Sequence, residues 1–312
     1  MMALIGVGHA QWQLASRVAA RLAALLLLST TSAACAGAVE EVPFITTPDR
    51  VTVAMLDLAR VGPMDHVIDL GSGDGRIVIT AARRHGASGL GVEIVPDLVE
   101  RSRRTAEQAG VASRVRFEVQ DLFQTDLHEA TVVTMYLLPD VNLKLRPALL
   151  MLWPGTRIVS HDWDMGDWPP DESVTLEVPE KAIGRERLSR VHLWVVPAPM
   201  QGLWCQGHAP LLRIDTEYQS ARVTFVGPVD SSTLLSGRVL SGRIRGPDLR
   251  LESAELTMGL HWSGEGQLIL RRAEGAPFSL QPCSAKEEAK EEAKEAAPEA
   301  ETGPMTQSKR AP

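Results

Sequence analysis

Between Val42 and Pro197, short apolar runs alternate with segments whose apolar positions recur at helical spacing, the pattern of a sheet covered by helices. Val67-Ile68-Asp69-Leu70 predicts a first strand. Ile77, Val78, Ala81 and Ala82 predict the helix that follows, with Gly86 placed as its C-cap. Residues 89–93 predict a second strand, 97–109 a helix ended by Gly110, and 115–119 a third strand. Residues 131–137, 141–152 and 156–160 continue the series as strand, helix and strand. The runs 173–178 and 191–196 have no helix between them long enough for a parallel crossover, so they predict an antiparallel closing hairpin.

Ala198-Pro199-Met200-Gln201-Gly202 breaks this alternation, and only short β segments follow, among them 211–214, 221–225 and 267–270. The expected organisation is a leader at 1–38, an α/β domain at 42–199, a small all-β domain at 203–283 and a charged low-complexity tail at 284–312. The tail repeats charged, alanine-spaced units with no apolar stripe, as in a solvated helix or a disordered linker.

Composition adds three points. The 44% hydrophobic and 23% charged content is that of a globular protein, and a formal net charge of −7 gives no general pull toward nucleic acid. Arg17 and Arg21, the apolar run 22–28 and the small residues 32–38 follow the order of a secretion leader. That run is far short of the ~20 residues of a comfortable membrane span, so cleavage and export to the periplasm or cell envelope are expected. The chain stays cytoplasmic if the leader does not function. Cys35 after Ser32-Ala33-Ala34 is a candidate lipid acceptor and therefore a membrane anchor, although a bulky aliphatic residue is expected where Ser32 stands. With Cys35 in the leader region, Cys205 and Cys283 remain as the pair expected to form a disulfide.

The candidate chemistry centres on Asp69-Leu70-Gly71-Ser72-Gly73-Asp74-Gly75-Arg76. Glycines at 71, 73 and 75 let the chain turn sharply from strand to helix and bring a ligand against bare backbone, flanked by Ser72 and Asp74. Asp69 can reach a ligand's amino group directly or through water. Glu93, 24 residues further on at the end of the second strand, can accept both hydroxyls of a ribose. Asp121 and Leu122, after the third strand, can contact an adenine. The glycine spacing is not the G-x-G-x-x-G of dinucleotide-binding proteins, and no Gly-Lys-Ser/Thr marks a nucleoside triphosphate loop.

With these residues, and with Phe44-Ile45-Thr46-Thr47-Pro48 ahead of a helix and Gly91-Val92-Glu93 after the glycines, the stretch from Phe44 to Asp171 resembles class I methyltransferases dependent on S-adenosylmethionine (SAM). Within them it is most similar to bacterial relatives of the mitochondrial lysine methyltransferases that modify the ATP synthase c subunit and the adenine nucleotide translocase. The resemblance implies a Rossmann-like sheet, SAM as cofactor, protein lysine N-methylation, and Asp69, Gly71, Gly73 and Glu93 as SAM contacts. A protein acceptor is then expected before a small molecule, and no nucleic acid.

Acceptor-side residues should lie past the C-terminal ends of the fourth and fifth strands, at 135–140 and 161–164 with Trp168 nearby. Tyr136 or Asp140 could orient or deprotonate an amine, and Trp163 could pack on a cationic group. The plain alternatives are that Asp140 only caps a helix and that the aromatics only pack a loop. His161, Asp162 and Asp164 form no convincing metal set without a second cluster, so none is expected. Two further readings stand beside an exported enzyme: a module that binds SAM or a related adenosine ligand without turnover, and a cytoplasmic enzyme whose leader is not used.

Overall fold

The computed structural model describes residues 45–181, 187–227, 236–252, 257–272 and 275–295. The leader, Cys35 and the last part of the charged tail lie outside them.

The first alternating region forms one seven-stranded sheet of order β3-β2-β1-β4-β5-β7-β6. Its strands are β1 (His66–Leu70), β2 (Ser88–Glu93), β3 (Val115–Val119), β4 (Val132–Met135), β5 (Arg157–His161), β6 (Glu172–Glu177) and β7 (Leu188–Val195). The first five are parallel, and β7 runs antiparallel to both β5 and β6, which is the expected closing hairpin. Strand order reverses between β1 and β4, so a crevice opens beyond their C-terminal ends.

Both sheet faces are covered. Helix α1 (Asp49–Leu58) and helix α2 (Arg76–Thr80), which continues into a π-helical turn (Ala81–His85), cover one face. There Val67, Val132, Val159 and Val191 pack against Val51, Met55 and Ile77. Helix α3 (Pro96–Gln108) brings Val99 and Ala106 to Val78, Val115 and Phe117. Helix α4 (Pro139–Leu150) covers the other face, setting Leu145 and Leu149 against Ile68, Val133 and Ile158. It starts two residues earlier than the apolar spacing predicts, because Pro139 suits the first helical position. Gly86 is the left-handed C-cap of the π-helical turn, at φ 72°.

Strand alternation now places polar groups. Side chains two residues apart share a face, so Asp69, Thr134 and His161 continue the row of Val67, Val132 and Val159 to the C-terminal edge. A row of valines ends in a row of polar groups at the mouth of the crevice.

The second region forms a closed antiparallel barrel of eight strands. They are β8 (Gly202–Gln206), β9 (Ala209–Glu217), β10 (Ser220–Phe225), β11 (Val239–Arg245), β12 (Asp248–Glu252), β13 (Thr257–Trp262), β14 (Leu268–Arg272) and β15 (Phe278–Pro282). Each pairs with the next, and β15 returns to β8. Trp204, Leu212, Val223, Phe225, Leu249, Leu260 and Leu270 belong to one buried cluster, as expected for a barrel of this size, whose interior side chains fill. The expected disulfide joins Cys205 to Cys283 with an S–S distance of 2.04 Å. Helix α5 (Ala285–Glu295) starts two residues later, and the Glu287 carboxylate reaches back to the Ser284 N–H at 2.7 Å. Among the described residues no helix is long and apolar enough to cross a membrane.

Candidate active site

After β1 the chain turns through three left-handed glycines, Gly71 (φ 74°), Gly73 (φ 54°) and Gly75 (φ 77°). Space matters as much as conformation. A Cβ on Gly71 would lie 3.0 Å from Leu137 Cδ2, and one on Gly75 would lie 2.7 Å from the Phe117 ring. The N–H groups of Gly71 and Ser72 both donate to the Val92 carbonyl, at 3.0 and 2.9 Å, which fastens the turn to β2.

Glu93, the last residue of β2, is the hub of this half of the site. Its Oε2 accepts from Gly73 N–H at 3.0 Å, and its Oε1 accepts from Ile94 and Val95 N–H at 2.9 and 3.1 Å. One carboxylate thus ties the glycine turn to the start of α3.

Asp69 is 2% exposed and accepts from Thr134 Oγ1 at 2.7 Å. Burial pushes its carboxyl up to about 7; the Thr134 bond opposes the shift, while the charges of Glu93 and Asp74 add to it. Burial acts in the same direction on Asp74, but the Arg76 guanidinium overrides it and holds that carboxyl below its ordinary value. Arg76 grips both oxygens of Asp74, at 2.9 and 2.7 Å, and donates to the Thr47 carbonyl at 2.8 Å. The segment before α1 is thereby pinned beside the glycine turn. Asp121 accepts from Phe123 N–H at 2.9 Å and opens a short 3-10 turn (Leu122–Gln124), with Leu122 half-buried against the α4-side core.

Beyond β4 and β5 a second group of side chains converges on Asp162. This residue holds a left-handed φ of 64°, unusual for a non-glycine and a frequent mark of a functional position. Its Oδ1 accepts from Arg190 N–H at 3.0 Å. Its Oδ2 receives Lys181 Nζ at 2.7 Å and Tyr136 OH at 3.5 Å, with His161 Nε2 also 3.5 Å away. The Tyr136 and His161 rings meet at a tilt of 34°, with centroids 3.9 Å apart. His161 is fully buried, contacting Ser189 Oγ at 2.9 Å and Thr47 Oγ1 at 3.5 Å.

Burial, helped by Asp162, pushes the Tyr136 phenol up to about 12. Burial and the nearby Lys181 ammonium draw His161 down to about 4, against the pull of Asp162. At neutral pH the phenol keeps its proton and the imidazole carries no charge. Tyr136 can therefore donate a hydrogen bond but is a poor base.

Of the three residues given acceptor-side roles from sequence, Tyr136, Asp140 and Trp163, only Tyr136 enters this cluster, beside His161 and Asp162 of the expected 161–164 segment. Asp140 lies exposed in the first turn of α4 and makes no side-chain cap, and Trp163 is 43% exposed. Sequence reasoning weighed the Asp162 carboxylate only as a metal ligand, with His161 and Asp164, and gave it no role toward the acceptor. Lys181 carried no signal, because it reaches the site from the connection between β6 and β7.

A sheet of this order, with a glycine turn after β1 and a carboxylate closing β2, defines a Rossmann-like methyltransferase. The profile described as ANTKMT methyltransferase domain matches residues 69–172. A protein-lysine N-methyltransferase of Saccharolobus islandicus is 43% identical over 141 residues, covering 45% of this chain and 88% of that one. The mouse adenine nucleotide translocase lysine N-methyltransferase is 34% identical over 131 residues, covering 42% and 57%. Among solved structures, an RNA methyltransferase of Salinibacter ruber in complex with S-adenosyl-L-homocysteine is 53% identical, covers 50% of this chain and 96% of that one, and has a TM-score of 0.46. The chain belongs to the SAM-dependent methyltransferase family that includes these lysine methyltransferases. It spans little more than half the length of the mouse relative.

The residues present fit SAM. Ser72 is 5% exposed, yet its Oγ has no hydrogen-bond partner among the described residues. The glycine turn leaves bare backbone beside it, and Asp69 and Glu93 offer carboxylates to an ammonium and to a diol. Asp69, Gly71, Ser72, Gly73, Asp74, Gly75 and Glu93 would hold the methionyl and ribose parts. Asp121 and Leu122 would meet the adenine.

Proposed function

We propose that this protein methylates lysine ε-amines of a protein acceptor, with Asp162 as the carboxylate that receives the acceptor ammonium. The observation that carries the reading is that Asp162, at the end of β5, already holds a lysine ammonium, that of Lys181, at 2.7 Å. The lysine methyltransferase names of the relatives support the same acceptor class.

SAM supplies a methyl carbon activated by its sulfonium, so the protein's work is to position, desolvate and deprotonate the amine. Tyr136, protonated at neutral pH, donates to the Asp162 carboxylate and orients it. Neutral His161 packs beside Tyr136 and adds no positive charge to the site. The acceptor's proton leaves to water, and Trp163 and Asp140 stand on the surface a protein acceptor would cover. We place the enzyme in the cell envelope. Its leader-like N-terminus and its disulfide both support that location.

Incubation with methyl-labelled SAM and a cell-envelope extract, followed by protein and RNA fractionation, tests the assignment. Label on protein lysine is expected; label confined to RNA, or SAM binding without transfer to anything, would overturn it. Asp162→Asn should lower kcat/KM about tenfold or more while leaving SAM affinity unchanged, since it removes the charge that meets the acceptor.

Asp69 gives a pH signature. An ammonium favours its ionised form, so affinity that depends on it falls as pH drops through about 7. The ratio of wild-type to Asp69→Asn affinity for SAM should shrink about tenfold between pH 8 and pH 6, read by calorimetry. A ratio that does not change with pH would remove Asp69 from the ammonium site.

A further inference from the structure

We propose that the barrel's β9–β10 turn is a positioning device for the acceptor half of the methyltransferase site, with Gln219 as its key residue. The proposal rests on the assignment of Asp162 to the acceptor. The segment that begins at Asp162 runs on through Trp168 to Asp171, just before β6, and the barrel holds its far half.

Gln219 is fully buried at the tip of the β9–β10 turn. Its Oε1 accepts from Trp168 Nε1 at 2.9 Å, and its Nε2 donates to the Pro169 carbonyl at 2.5 Å. An indole N–H only donates and a carbonyl only accepts, so their common partner must offer both an acceptor and a donor. An amide does this; a carboxylate or an aliphatic group does not. Beside it, Tyr218 stacks on Trp168 with centroids 6.0 Å apart and donates to Asp167 at 3.0 Å. Tyr218 itself holds a left-handed φ of 51°, a strained turn that the docked contacts sustain. Arg243 of β11 forks onto Asp171 at 2.9 and 2.8 Å and fixes the end of the segment.

From the other side, Asn142 of α4 donates to the carbonyls of Trp163 and Asp164, at 3.3 and 3.2 Å. The segment is thus clamped between α4 and the barrel. The glycine turn, by contrast, is fastened to β2 and Glu93. Loss of the barrel's grip should loosen the acceptor side and spare the cofactor side. That asymmetry separates a positioning role from general support of the fold.

The test uses the full chain with Gln219→Met, which keeps side-chain volume and removes both bonds, and with Arg243→Met, a half-exposed site that should fold without difficulty. Hydrogen exchange of peptides over 162–171 should speed up about tenfold for Gln219→Met and less for Arg243→Met. Exchange over 71–75 should stay unchanged, and the SAM dissociation constant should stay within twofold by calorimetry. Methyl incorporation into the envelope extract should fall at least fivefold for Gln219→Met. Unchanged exchange over 162–171, or exchange and SAM affinity changing together across both halves, would overturn the proposal. Loosening of 162–171 as expected in a protein whose wild type methylates nothing would refute the lysine assignment and leave the positioning role standing.

Discussion

Glu93→Ala is expected to weaken SAM binding by roughly two orders of magnitude. A hydrogen bond to a charged group contributes about 1.5–3 kcal/mol, and a ribose diol directed at one carboxylate makes two of them. A loss of about 3 kcal/mol corresponds to about a hundredfold in dissociation constant. The substitution also strips acceptors from Gly73, Ile94 and Val95 N–H, so the glycine turn and the start of α3 lose their common tie. Glu93→Gln keeps the shape and one acceptor oxygen and should lie between the two. Calorimetry reads the effect, with a thermal melt as a check that the sheet still folds. An unchanged dissociation constant would remove Glu93 from the ribose site.

Replacing Cys205 and Cys283 together by serine is expected to destabilise the protein by about 4 kcal/mol. The disulfide closes a loop of 78 residues, which includes nearly the whole barrel, and its main effect in the chain-entropy account is to restrict the unfolded chain. Urea unfolding should show a lower midpoint for the double variant, and the wild type treated with a dithiol reductant should shift by the same amount. A loss under about 1 kcal/mol would mean that barrel closure, rather than the cross-link, restricts this segment. The neighbouring Glu287–Ser284 cap should survive the substitution, because the Ser284 N–H and hydroxyl hold it at 2.7 and 2.9 Å.

Much of the first half could be read from local pattern. The strand 67–70, the left-handed glycines and the helix starting at Arg76 are neighbours in sequence, so spacing alone locates them. The place of Glu93 was readable for the same reason, as the last residue of the next short strand after the glycines. The barrel was legible only as a set of short strands. Its closure depends on the pairing of β15 with β8, which no local spacing encodes. The capping pair Ser284 and Glu287 did carry a readable signal, hidden within a run that looked like plain charge. On the acceptor side Tyr136 could be placed by its position after β4, whereas the ammonium facing Asp162 comes from Lys181, and only folding brings it there. The Tyr218–Gln219 tip had no glycine to announce a left-handed turn, so nothing in the sequence marked it as a contact.

The barrel's closure also bears on how copies of the protein meet one another. A closed barrel has no free edge, so among the described strands only β3 and β6 present unpaired backbone. Both are short and carry polar groups outward: β3 exposes Arg116 and Glu118 ahead of Val119 at its end, and β6 exposes Glu172, Thr175 and Glu177. Charges on such an edge oppose the addition of a further strand. Edge-to-edge aggregation, the usual liability of a chain so rich in strands, is disfavoured at both ends of this open sheet.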